Sequence, residues 1–343
     1  MKNKIKYFFL IIFLFIIIFL TINTIISETS LEIVFGCLKS INFLYILICL
    51  IMLVLYFALQ GVYMKTILKS LNEKISLCSG IYYSLTEFYF SCITPSSTGG
   101  QPMQLYCMTK DKIPIRKSYI VLMLNTIYFK LIILILGLFV LIFGWNYILS
   151  KSIIYMLFFF LGLVVDLLIV IFSFLILFYP QFIKKVLIIL FKFVSKIGVF
   201  EKKARNFNID DFIKRYEIEI KYIKSHTILI VFTFLLTFIQ RLLLFSIIYV
   251  IYKGLGFSSY NYFDLLMIQI SVQMVIEVYP LPGGAGLSEE MINSAFSAIH
   301  GLNFAAAGML LTRTFSFYVP LLISGFTFFT VGVIRKIKNN KRC

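Results

Sequence analysis

The sequence predicts an all-α polytopic membrane protein, with six spanning helices and two oppositely oriented re-entrant helical hairpins that form an inverted repeat. Three observations predict it. Mean hydropathy is +0.98, with 61% hydrophobic and 14% charged residues among 343, and apolar runs of about 20 residues, long enough to cross a bilayer as a helix, keep recurring. Basic residues alternate between successive loops, as the positive-inside rule requires. Two polar, Gly- and Pro-rich knots, "TPSSTGGQP" (94–102) and "YPLPGGAGLSEE" (279–290), interrupt otherwise apolar segments.

The first run, 7–26, is too long for a signal peptide and is followed by "SETSLE" rather than a small-residue cleavage site, so it is expected to remain as an anchor. Lys2, Lys4 and Lys6 place the N-terminus inside, and the loop after this span carries Glu28, Glu32 and only Lys39. Span two, 41–64, returns to Lys65, Lys69 and Lys74. Segment 81–109 is then followed by a second basic cluster, Lys110, Lys112, Arg116 and Lys117. A crossing would put that cluster outside. The segment is therefore expected to turn at its knot and return to the cytoplasmic side.

Spans three and four, 118–144 and 152–178, flank a short external loop, and 179–224 is a basic cytoplasmic linker. Span five, 225–252, exits. Span six, 303–334, ends inside, because Arg335, Lys336, Lys338, Lys341 and Arg342 follow it. Segment 262–300 must then begin and end outside, as a second hairpin. Residues 41–144 form repeat one and 225–334 repeat two. Laying Gly99-Gly100 on Gly283-Gly284 gives a repeat of 184 positions, and Lys130 and Arg313, the basic residues in the spans after the hairpins, lie 183 apart. Inverted repeats with broken helices are one way in which transporters build alternating access.

Irregular backbone at membrane depth is tolerated where it is buried in protein or lines a wet cavity, because each unsatisfied amide in lipid costs roughly several kcal/mol. Pro95 and Pro280 are expected to end the entering half-helices, and the returning ones begin near Gln101 and Leu287. A helix N-terminus offers free amides and about half a positive charge, which suits an anion. Two such termini, with Lys130 and Arg313 beside them, make a candidate anion site. A helix break that merely packs against its neighbours is the alternative.

Lys130 and Asp166 lie equally far from residue 148, the middle of the loop joining their spans, so they are expected at equal depth. They form an ion pair, or Asp166 carries protons. Glu277, Glu289 and Glu290 flank the second knot, where Arg241 and Arg313 are the cations available to them; charge balance, proton relay and binding of a cationic group all remain open. Glu87 has no evident partner. The six cysteines and two histidines show no metal-ligand, redox or nucleophile spacing, so neither a metal nor a cofactor is expected. The charge of +17 is spread over loops as topology demands, which argues against nucleic acid. In "FIKKVLIILFKFVSKIG" the residues Lys184, Lys185, Lys192 and Lys196 share one helical face, read as an amphipathic helix on anionic inner-leaflet lipid or as a structural elbow.

"TPSSTGGQPMQLYCMTKDKIP" and "PLPGGAGLSEE" resemble the lysylphosphatidylglycerol synthase transmembrane family, the flippase-like module of bacterial multiple peptide resistance factors, over essentially the whole chain. The resemblance implies a module that moves aminoacylated phosphatidylglycerol between leaflets. Its motifs fall on Pro95, Gly99, Gly100, Gln101, Pro102 and Gln104, and on Pro280, Pro282, Gly283, Gly284, Gly286 and Glu289. Thr94, Ser96, Ser97 and Thr98 make the first motif hydroxyl-rich. The sequence ends at Cys343, so the soluble aminoacyl-transfer domain of the fused members is not expected.

Together these readings predict a flippase for an anionic or zwitterionic phospholipid or a polyprenyl phosphate. The expected location is a bacterial cytoplasmic membrane, with both termini cytoplasmic. The alternatives are a membrane enzyme that modifies a lipid headgroup through Glu277, Glu289 or Glu290, or a non-transporting partner of a separate lipid-synthesising enzyme.

Overall fold

The computed structural model describes residues 36, 39, 41–194, 209–279, 281–284, 286–300 and 302–340. The first predicted span, 7–26, lies outside them. The described residues are predominantly helical, with no strand among them. Five helical stretches are long and apolar enough to cross a membrane: Phe43–Ser70, Ile115–Phe143, Ile153–Phe178, Thr227–Gly254 and Ala305–Ile334. They match the predicted second to sixth spans to within a few residues at most ends. At the second span, Asn42 caps the start by accepting from the Leu44 amide at 2.9 Å, and the helix runs on to Ser70 with Lys65 and Lys69 exposed.

We label the helices α1 (Phe43–Ser70), α2 (Leu77–Ile93), α3 (Gly100–Lys110), α4 (Ile115–Phe143), α5 (Trp145–Leu149), α6 (Ile153–Phe178), α7 (Pro180–Val194), α8 (Ile209–Ser225), α9 (Thr227–Phe245), α10 (Ile247–Gly254), α11 (Tyr262–Val278), α12 (Leu287–His300), α13 (Leu302–Arg313) and α14 (Val319–Asn340). α2 and α11 have 17 residues each, and α3 and α12 have 11 and 14. At about 1.5 Å per residue, each is shorter than the ~30 Å hydrocarbon layer. Between α13 and α14 the ladder widens into a π turn, Thr314–Tyr318. Pro320 is the cause: it has no N–H to return to the preceding turn.

The elements of the two halves correspond, but not in the register that the glycine pairs suggest. Short 3₁₀ turns occupy Pro95–Ser97 and Pro282–Gly284, and α3 starts at Gly100 where α12 starts at Leu287; α4 and α13 start at Ile115 and Leu302. These landmarks are 187 positions apart, which corrects the 184 of the glycine pairing and places Lys130 opposite Phe317 rather than Arg313. The reason is backbone conformation. Left-handed residues sit at Ser96 and Ser97 in the first turn and at Gly283 and Gly284 in the second, so the turns match by φ and not by glycine.

Packing between the halves is reciprocal. α1 packs on α9, α2 on α14, and α11 on α4, while the two 3₁₀ turns touch. Within the first half, α1 and α2 cross at Gly61 and Gly80, where a Cβ on Gly80 would lie 2.6 Å from the Gly61 carbonyl oxygen. Small residues permit such backbone contact.

Candidate functional site

The first knot is held by its own hydroxyls. Thr94 Oγ1 donates to the Phe90 carbonyl at 2.6 Å and accepts from the Gly99 amide at 2.8 Å, and Thr98 Oγ1 donates to the Pro95 carbonyl at 2.9 Å. Ser96 (φ 49°) and Ser97 (φ 55°) are left-handed non-glycine residues with exposed side chains. Such strain persists where surrounding structure enforces it and clusters at functional sites. No side chain caps α3. Gly100 is pressed on α2, since a Cβ there would fall 2.7 Å from the Glu87 carbonyl and close to the Ser91 hydroxyl. Gln101 donates to the Thr126 hydroxyl of α4. Gln104 is fully buried; its amide reaches the Met64 sulfur at 3.9 Å and its carbonyl oxygen has no partner.

The second knot is closed by charge. Pro282 opens its 3₁₀ turn, and Gly283, Gly284 and Gly286 have φ of 59°, 65° and 84°, which favour glycine. The buried Glu289 accepts from the Gly286 amide at 2.7 Å, from Arg313 Nε at 2.8 Å and from the Tyr318 hydroxyl at 3.1 Å. Arg313 also donates to the Gly283 carbonyl at 3.3 Å and lies 4.3 Å from the Phe317 ring centroid. The two half-helix termini are thus unlike. At the start of α12, where the sequence leads one to expect an outside anion, Glu289 already supplies the negative charge and Arg313 is its counter-ion. Glu290, the next residue, is exposed. Pro280 lies outside the described residues.

A second charged group lies where α4, α6 and α11 meet. Lys130 donates to Asp166 at 2.7 Å and also to Glu277, while Gln273 donates to the other Glu277 oxygen at 2.9 Å. The equal depth of Lys130 and Asp166 is as the loop spacing predicts. Glu277 corrects its expected pairing, because its cation is Lys130 and not an arginine. Glycine sets this approach: a Cβ on Gly162, one turn before Asp166, would lie 2.4 Å from the Met274 carbonyl oxygen, one turn before Glu277.

Arg241 is likewise not a partner of the second knot's carboxylates. It donates to the Tyr56 hydroxyl at 3.1 Å and stacks 3.9 Å from the Phe129 centroid. Its buried Nε has no partner, and among the described residues no carboxylate forms a salt bridge with it. Glu87 is in electrostatic range of Arg241, Tyr56 and Tyr63. Elsewhere in the interior the buried amides of Gln60, Asn125 and Gln240 each leave at least one polar atom unpartnered, although Gln240 also donates to the Tyr56 carbonyl at 3.3 Å. Buried orphan polar atoms call for an explanation such as water or a ligand. Weighing only charged residues misses these three; an uncharged amide inside an apolar span is the signal that finds them.

At the linker, Tyr216 donates to the Leu177 carbonyl at 2.7 Å, and Lys184 pairs with Asp210 at 2.7 Å. Burial raises the Glu219 carboxyl above its ordinary value, against the opposing pull of Arg116 at 2.9 Å. Lys184 and Lys185 are exposed on α7, whereas Lys196 lies outside the described residues. Among the described residues no three His, Cys, Asp or Glu side chains form a metal-holding group.

Comparison with known proteins gives two findings. Residues 7–324 match the family model described as the lysylphosphatidylglycerol synthase TM region. A "UPF0104 membrane protein" of Archaeoglobus fulgidus is 25% identical over 274 residues, covering 76% of this chain and 78% of the relative. The family match takes in four of the described membrane-length helices, most of the fifth and both interrupted segments; the chain belongs to the lysylphosphatidylglycerol synthase TM region family.

Proposed function

We propose that the chain is a lipid flippase, which moves an anionic or zwitterionic phospholipid, or a polyprenyl phosphate, between leaflets. The observation that carries this reading is the polar interior of the bundle: Arg241 without a carboxylate salt bridge among the described residues, Glu87 in electrostatic range of it, and orphaned amides of Gln60, Gln104, Asn125 and Gln240 beneath an apolar exterior. A guanidinium matches phosphate geometry and retains its charge when buried. The uncapped start of α3 adds amide donors, which suit the same group.

The reciprocal packing of the halves supports an inverted repeat of two re-entrant hairpins, each entering from its own leaflet, and therefore alternating access around the touching turns. The family's description names lysylphosphatidylglycerol, whose phosphate and amines fit Arg241 and Glu87. Thr94, Ser96, Ser97, Thr98 and Gln101 would line the approach from the first knot, and Gly283, Gly284 and Arg313 the approach from the second. In this reading the membrane is the bacterial cytoplasmic membrane with both termini inside, anionic inner-leaflet lipid holds the basic α7, and a separate enzyme makes the lipid.

Native mass spectrometry of the purified protein tests the proposal. A phosphate-bearing lipid should copurify with the parent protein and be lost from folded Arg241→Gln. Equal lipid occupancy in the two proteins would remove Arg241 from the site.

A further inference from the structure

We propose that Lys130, Asp166 and Glu277 form a proton-binding site, in which one exchangeable proton is shared by the two carboxyls beside a lysine that stays charged. Both carboxylates contact the same ammonium, so they lie within the ~6 Å over which like charges raise each other's affinity for protons. One positive charge faces two negative ones. At side-chain exposures of 15% for Lys130, 1% for Asp166 and 10% for Glu277, water does little to screen the excess.

A second observation points to what completes the group. Asp166 Oδ2 is buried and has no partner, although its other oxygen is bound to Lys130. Protonation of that oxygen turns an orphan acceptor into a donor with the Glu277 carboxylate in hydrogen-bond range to accept, and leaves Lys130 and Glu277 as a neutral pair. The balance is simple: one proton adds to one carboxylate oxygen, and no other bond changes. A metal cation fits less well, because the Lys130 ammonium already occupies the position between the carboxylates.

Other charged groups on the packed elements are engaged elsewhere. Glu289 is held by Arg313 beyond α11, and Glu219 by Arg116 at the far end of α4. Arg241 of α9 stacks on the Phe129 ring, whose centroid is 5.4 Å from Lys130 Nζ. Tyr155 lies three turns before Asp166 on α6, Tyr128 faces Thr233 of α9, and Gln273 of α11 binds Glu277.

The site joins α4 and α11, which belong to opposite halves, through α6. Gain or loss of the proton therefore changes the force that holds the halves together, and a pH gradient can bias lipid exchange. Only this last step rests on the flippase reading.

Infrared difference spectroscopy of the full-length protein across pH reads the proton directly. The parent should show a titrating carboxylic-acid C=O band that is lost in Asp166→Asn and also in Glu277→Gln, since either change leaves one carboxylate matched to one ammonium. Lys130→Met should retain the band to higher pH. Absence of the band from the parent, its survival in both carboxyl variants, or its removal by sodium at constant pH would overturn the proposal. The same proteins in phosphatidylglycerol-containing vesicles give the second arm: parent exchange should respond to an imposed pH gradient, and Asp166→Asn exchange should not. A correct band pattern without lipid exchange supports the proton site and counts against the flippase; exchange without the band does the reverse.

Discussion

Replacing the single cation of the α4–α6–α11 group should be far more damaging than replacing one of its two carboxylates. Lys130→Met leaves Asp166 and Glu277 facing each other with no ammonium, and removal of one partner from a buried ion pair typically costs about 3–5 kcal/mol. Asp166→Asn keeps the Lys130–Glu277 pair and an amide oxygen that still accepts from Nζ, so the loss should be only the weakening of one hydrogen bond from an ionic to a neutral acceptor, roughly 0.5–1.5 kcal/mol. The triple variant Lys130→Met, Asp166→Leu, Glu277→Leu removes every charge and should regain much of the loss, as apolar replacement of buried ion groups often does. Equilibrium unfolding in mixed micelles at constant pH measures all three. Lowering the pH should shrink the Lys130→Met loss as the carboxyls protonate. Equal losses in Lys130→Met and Asp166→Asn would refute the claim that both carboxylates share one ammonium.

Three further outcomes test the rest of the site. Ser96→Gly and Ser97→Gly, which relieve left-handed strain at φ of 49° and 55°, should each stabilise the protein by about 1 kcal/mol in the same unfolding assay. Gly283→Ala should destabilise it by roughly 1–3 kcal/mol, because the new Cβ would lie 2.2 Å from the Phe317 ring in an unfavourable φ region. Cysteines placed by Lys74→Cys and Lys110→Cys, with the exposed Cys78 replaced, should react only from the cytoplasm, and Ser259→Cys only from outside; labelling of the first two from opposite sides would exclude a re-entrant first hairpin.

The helices were largely legible in the sequence because membrane length and apolar composition are one-dimensional properties. The ends of the second interrupted segment were equally plain: the predicted 262–300 coincides with the start of α11 and the end of α12. Register was not. Glycine identity suggested one superposition of the halves, whereas left-handed backbone at Ser96 and Ser97 imposes another. The Lys130–Asp166 pair could be derived from a short loop, which fixes relative depth between neighbours. Glu277 could not, since its meeting with them depends on Gly162 contacting Met274 across 112 positions. Likewise, the family resemblance marks Glu289 rather than its exposed neighbour Glu290, but its burial against Arg313 depends on helix rotation that the local sequence does not show.

Leaflet exchange of a fluorescent phosphatidylglycerol in protein-only vesicles tests the central claim most directly, with the parent, Arg241→Gln and Gly100→Val reconstituted at equal density as folded protein. The account predicts rapid exchange by the parent, and exchange near that of protein-free vesicles by both variants: Arg241→Gln removes the buried cation, and Gly100→Val intrudes on α2 beside Glu87. Exchange by both folded variants at the parent rate, or no exchange by the parent across anionic and zwitterionic lipids, would contradict it.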